Sequence, residues 1–119
     1  WDMTNNRENI AAATRYIASL DRSLRRKVED QEERVKFILA SYNSGLGHIF
    51  DAIALAEKYG KDPQVWFGNA EETLKLKNYP EYYTDSVCKC AYFKGKETLA
   101  YVEKVIELYR FYKQNMPEE

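Results

Sequence analysis

Residues 37–56 read FILASYNSGLGHIFDAIALA, two apolar runs at helical spacing parted by Ser44-Gly45-Leu46-Gly47. Upstream of the break, Val35, Ile38, Leu39 and Tyr42 fall on one face, which predicts a helix from about Glu32 to Tyr42. Downstream, Ile49, Phe50, Ile53, Leu55 and Ala56 predict a second helix from about Leu46 to Tyr59. Gly60 then suits a left-handed cap, and Asp62-Pro63 a turn. Glycine at alternate positions, Gly45 and Gly47, permits positive φ and close backbone approach between the helices. Asn43 stands at that corner, and its amide can both donate and accept, as recognition of an acetamido group requires. The same residues also read as a tight helix–helix corner with Asn43 as a local cap.

Working outward, residues 1–6 read as an irregular lead-in with Asn5 or Asn6 as a helix N-cap. Ile10, Ala13, Ile17, Leu20 and Leu24 then give a helix with one apolar face. The basic patch Arg22–Arg26 and the mixed-charge run Glu29–Arg34 read as a solvated helix end and loop. Asn69-Ala70-Glu71-Glu72 resembles a capping box opening a short helix to about Lys77. Pro80 suits the first position of another short helix carrying Glu81, Tyr82 and Tyr83. Residues 84–95 read as a loop ending at Gly95. A last helix, about 96–114, presents Leu99, Val102, Val105 or Ile106, Tyr109 and Tyr112, and Pro117 opens a frayed tail. No stretch alternates as a strand would and no repeat is visible, so the expectation is one all-α domain over residues 1–119.

The chain has 119 residues, enough for one core. A net charge of -1 argues against a general nucleic-acid binder, which carries a basic excess. No apolar run approaches the ~18 residues of a membrane span, and no leader is visible. The first residue is Trp1 rather than Met, which suggests a fragment. Ten tyrosines suit a polar ligand groove or a core rim. Cys88 and Cys90 sit too close in sequence for a comfortable mutual bridge. They read as free or partly buried thiols, or as partners of a segment outside the chain. With one histidine they do not complete a four-ligand zinc site, and no metal or cofactor is expected. His48 starts a helix and reads as a capping or packing residue. No nucleophile elbow, zinc-protease motif or phosphate-binding loop is present.

Residues 37–56 resemble the A-Y-N-x-G region of lytic transglycosylases of glycoside hydrolase family 23. The continuation Gly45-Leu46-Gly47-His48 through Asp51-Ala52 is similar to the membrane-bound subgroup F. Three more segments agree in order. Asn9-Ile10 through Arg15-Tyr16-Ile17 resembles the N-I-x-x-G-x-x-Y-L helix, with Ala13 where Gly is common. Pro80-Glu81-Tyr82-Tyr83 resembles P-x-Y-Y. Tyr92 through Tyr101-Val102 resembles Y-x-R-G-x-E-T-x-x-Y-V, with Lys94 in place of Arg. Ser41 stands where Ala is usual.

The resemblance implies a lysozyme-like helical fold and non-hydrolytic cleavage of the bond between N-acetylmuramic acid and N-acetylglucosamine. The muramyl 6-hydroxyl closes on the anomeric carbon, leaving a 1,6-anhydro end. One Glu serves first as acid and then as base, unlike the usual pair of carboxylates. That Glu belongs to an E-S-x-F-type motif followed by G-L-M-Q, and neither occurs in this chain. The expectation is therefore the C-terminal portion of the catalytic domain, with no catalytic residue of its own and no cleavage by the chain alone. By matching position, Tyr42 and Tyr101 border the catalytic Glu and Asn43 contacts substrate. Gly45 and Gly47 shape the loop. Tyr92 lines the groove or serves only packing. Glu97 reads as a helix-start residue. The implied partner is the peptidoglycan glycan strand, and the implied location is the bacterial cell envelope. Self-association or pairing with an N-terminal segment follows if helices are missing. The alternatives are a noncatalytic glycan-binding module and a helical protein-interaction domain.

Overall fold

The computed structural model describes residues 3–115, and for residues 3–6 the backbone only. Among the described residues there are six α-helices and no strand. They are α1 (Met3–Leu24), α2 (Gln31–Ser44), α3 (Leu46–Lys58), α4 (Glu71–Leu76), α5 (Pro80–Tyr83) and α6 (Lys96–Asn115). The all-α expectation holds. Helix α1 begins earlier than expected, so Asn5 and Asn6 lie inside it and neither caps it. Pro117 and the rest of the tail lie outside the described residues.

Helix α2 packs against α1, α3 and α6, and so forms the spine of the fold. Its buried face is Phe37, Ala40 and Ser41, with Ile38 and Leu39 partly covered. The expected stripe is therefore rotated: Val35 and Tyr42 are exposed. Phe37 meets Trp66 edge-on, ring centroids 5.3 Å apart, at the centre of the core. Helix α3 is the most enclosed element, burying Ile49, Asp51, Ala52, Ile53, Leu55 and Ala56. Gly60, at φ 80°, ends it as expected, and Lys61 N donates to Ala56 O across the cap.

The charged run between α1 and α2 is mostly exposed, as expected, and is also organised by specific bonds. Asp30 caps α2 by accepting from Glu33 N. Arg34 donates to Asp21 Oδ1 at 2.7 Å and to the carbonyls of Val28 and Glu29, closing the α1–α2 corner. Glu33 accepts from Trp66 N at 2.9 Å, tying α2 to the turn before α4. Charge patterning alone missed the Arg34 and Glu33 bonds because Asp21 and Trp66 lie in other elements.

The capping box at residue 69 does not form. Gly68 takes φ 76°, and the turn widens over Trp66–Ala70. Asn69 Oδ1 accepts from Asp62 N, and Glu71 accepts from Gly68 N. Pro80 does open α5. In α6, Leu99, Val102 and Ile106 are buried, but Tyr109 and Tyr112 are exposed, because no described element reaches them. In α1 only Leu20 and Leu24 of the expected stripe are buried; Ile10 is 59% exposed and Ile17 is exposed as well.

Candidate functional site

The α2–α3 corner brings several of the expected groove residues together. Gly45 holds φ 104°, a conformation that side chains resist, and its N–H donates to Ser41 O at 2.7 Å. That turn leaves Tyr42 and Asn43 on the outside of the fold. Asn43 Oδ1 accepts from Thr98 Oγ1 at 2.7 Å, which links the corner to the first turn of α6. In this orientation the carbonyl faces the Thr98 hydroxyl, and the NH2 makes no hydrogen bond among the described residues. Tyr42 is 44% exposed, with its ring 5.7 Å from that of Tyr16 on α1. Tyr101 lies one turn beyond Thr98 and packs against the core while remaining partly open. Tyr92 is different: it is exposed and meets Tyr83 edge-on at 5.8 Å. No hydrogen bond or ring contact joins it to Tyr42 or Asn43 among the described residues. Glu97 is exposed in the first turn of α6, as expected for a helix-start carboxylate.

Gly47 serves contact rather than dihedral freedom. A Cβ there would lie 2.6 Å from Cys90 Sγ. The two cysteines are unbridged and half-buried, and burial raises the Cys88 thiol pKa. That is the free-thiol reading of the pair.

Behind the corner lies a polar cluster that joins His48 and Asp51 of the Gly45–Ala52 stretch to Lys77, which no motif marked. Asp51 is 1% exposed and Lys77 is fully buried, with Nζ 2.7 Å from Oδ2. Asp51 Oδ1 also accepts from Lys89 N at 2.7 Å, and Oδ2 from Cys90 N at 2.9 Å. Lys77 Nζ makes a second contact, 2.7 Å to His48 Nδ1. An ammonium can only donate, so Nδ1 accepts and the imidazole carries its proton on Nε2. Burial first, then the Lys77 charge, hold the His48 pKa below its ordinary 6.5. The imidazole stacks on Phe93 with centroids 4.4 Å apart. His48 is thus a packing residue with a defined tautomer.

His48, Asp51 and Cys90 offer donor atoms within 4.8 Å of one another, a spacing that would otherwise suit a cation. The cation there is the Lys77 ammonium, bonded to two of the three, so the donor set is spent on the protein itself. One signal for Asp51 was present in the sequence: a carboxylate between Phe50 and Ala52-Ile53 on an apolar helix needs a buried partner. Nothing in the sequence marked Lys77, which looks like an ordinary charged residue at a helix end.

No family model matches the chain. Among curated proteins, membrane-bound lytic murein transglycosylase F of Desulfosudis oleivorans is 38% identical over 107 residues, covering 90% of this chain. The proteins of the same name from Haemophilus influenzae and Marinobacter nauticus are each 36% identical, covering 87% and 88% of this chain. This chain is homologous to part of membrane-bound lytic murein transglycosylase F. It spans 23% of the Desulfosudis protein and 21% of each of the other two transglycosylases, so it corresponds to about a quarter or less of their length. No described helix is long and apolar enough to cross a membrane.

Proposed function

We propose that this chain is the C-terminal portion of one lysozyme-like catalytic domain in a peptidoglycan lytic transglycosylase. Residues 1–119 form a wall of the glycan groove, and the catalytic Glu comes from a part of the protein outside them. Tyr42 and Tyr101 border that Glu. Asn43 and the backbone at Gly45 contact the sugar's polar groups, and Tyr92 lines a more distant stretch of the groove. The parent enzyme cleaves between N-acetylmuramic acid and N-acetylglucosamine without water, giving 1,6-anhydro ends. It works in the cell envelope on glycan strands.

The observation that carries this reading is the state of Asn43. Its carbonyl accepts from Thr98, and its NH2 makes no hydrogen bond among the described residues, at an exposed corner flanked by Tyr42. A side-chain amide donor beside an aromatic face suits a sugar bearing an acetamido carbonyl. The uncovered apolar residues Ile10, Tyr16 and Ile17 on α1 support the second half of the proposal, a packing partner from the rest of a much longer protein.

Binding of an N-acetylglucosamine hexamer, measured by calorimetry on the chain and on Asn43→Ala, tests the groove. Binding lost in the variant is expected; equal binding by both refutes the role of Asn43. The chain alone should release no anhydro-muropeptides from sacculi, and their appearance would refute the external Glu. An inactive full-length protein that still binds sacculi through Asn43 would favour the noncatalytic binding module instead.

A further inference from the structure

We propose that Asp51 and Lys77 are positioning residues that hold the segment 89–93 in place and so set the Tyr92 and α6 side of the groove. This rests on the groove reading above.

Three groups from α3 and the end of α4 grip this segment at three points. The Asp51 carboxylate takes the consecutive amides of Lys89 and Cys90. The Lys77 carbonyl accepts from Phe93 N at 3.3 Å. The His48 ring, held by Lys77 Nζ, stacks on the Phe93 ring. Between the grips lie Ala91 and Tyr92, so Tyr92 has little room to move along the chain. Two residues beyond Phe93, Gly95 O receives the first α6 bond from Leu99 N, and Thr98 in the same turn orients Asn43. Anchoring the segment therefore constrains both Tyr92 and the partner that fixes the Asn43 amide.

A buried ion pair is a poor source of stability, because desolvating both charges offsets most of their attraction. Replacing both members by apolar residues of similar size is often neutral for folding. The pair's distinctive product is geometry. A carboxylate with an ammonium on one side can take two successive amides on the other, and an apolar side chain cannot. The segment has no strand or helix of its own to satisfy those amides.

The test compares the chain with the double variant Asp51→Leu/Lys77→Met, and with Asp51→Asn, which keeps one acceptor oxygen. Helicity and melting report the fold. Hydrogen exchange at the Lys89 and Cys90 amides reports the grip. Calorimetry with N-acetylglucosamine hexamer reports the groove. Ile106→Val serves as a core variant remote from the segment. The double variant should stay helical, with exchange at both amides at least tenfold faster and hexamer binding at least fivefold weaker. Asp51→Asn should fall between, and should stand in for the double variant if that one does not fold. Ile106→Val should bind the hexamer as the parent does. Unchanged amide exchange in the folded variants overturns the grip. Faster exchange with unchanged hexamer binding overturns the positioning role. No hexamer binding by the parent chain overturns the groove reading itself, a result distinct from either.

Discussion

Helix α3 and residues 10–17 of α1 carry the same signal, apolar residues recurring at three and four, yet one is enclosed and the other is largely exposed. Ile53 in α3 is 2% exposed, whereas Ile10 in α1 is 59% exposed. The outer half of α6 repeats the pattern, with Leu108, Phe111 and Tyr112 all exposed. Periodicity states which face wants covering; it does not state who covers it. α3 has α2, α4 and the Trp66 turn around it. Among the described residues, the Tyr16–Tyr42 ring contact joins the middle of α1 to the end of α2.

Substituting equivalent positions breaks or sharpens that comparison. The largest effect is expected in α3: Ile53→Ala should cost about 2–5 kcal/mol of unfolding free energy by denaturant titration. Ile10→Ala should cost less than about 0.5 kcal/mol in the chain as it stands. An equal loss at both positions would mean that α1 is covered in solution, by a second copy or by its own tail.

The corner glycines come next. Gly45→Ala meets a φ of 104° and should cost about 1–3 kcal/mol whatever stands at residue 90. Gly47→Ala should cost about 1–3 kcal/mol by crowding Cys90 Sγ, and Cys90→Ala should recover part of that loss. Thermal melts of each glycine variant, with and without Cys90→Ala, separate dihedral strain from contact.

Ser41 offers a gain of opposite sign. Its hydroxyl is fully buried without a partner among the described residues. Ser41→Ala, the residue usual at this place in the resembling family, should stabilise the chain by about 1 kcal/mol. A loss instead would reveal a partner for the hydroxyl.

Acid should act in two steps, both smaller. His48 has its pKa lowered, so the unfolded chain binds its proton first, and stability falls as pH drops below 6.5. Asp85 is held down at about 2 from 3.8, first by the Lys58 bond, then by Val87 N and the Tyr59 hydroxyl. Arg34 and then Arg25 lower Asp21 likewise. For a depressed carboxylate the stability is present above its unfolded pKa and lost as pH falls through the folded one, here between about 4 and about 2. Melts across pH should lose the upper step in His48→Gln and part of the lower step in Asp85→Asn. An unchanged upper step would remove His48 from the buried cluster.

The helices were legible because their signals are local: periodicity for α3 and α6, Pro80 for α5, Gly60 for the end of α3. What was hidden depends on partners distant in sequence. The Asn69 capping box failed because the Asn69 side chain serves Asp62 and Phe67 instead. The stripe of α2 was drawn through Val35 and Tyr42, but packing against Trp66 turns Phe37 and Ala40 inward. At the candidate site, the Tyr-Asn corner stood out by its glycines. Thr98, which holds it from 55 residues away, stood inside the Tyr92–Val102 stretch, but nothing there tied it to Asn43, and Lys77, which bonds Asp51 from 26 residues away, carried no signal of its own.

The most direct test is the product released from sacculi by the full-length protein that contains this chain, read by mass spectrometry for the parent and for Asn43→Ala. The expected result is 1,6-anhydro-muropeptides from the parent and at least a tenfold slower release from the variant. Reducing-end products, or release unchanged by Asn43→Ala, would contradict the placement of this corner in a transglycosylase groove.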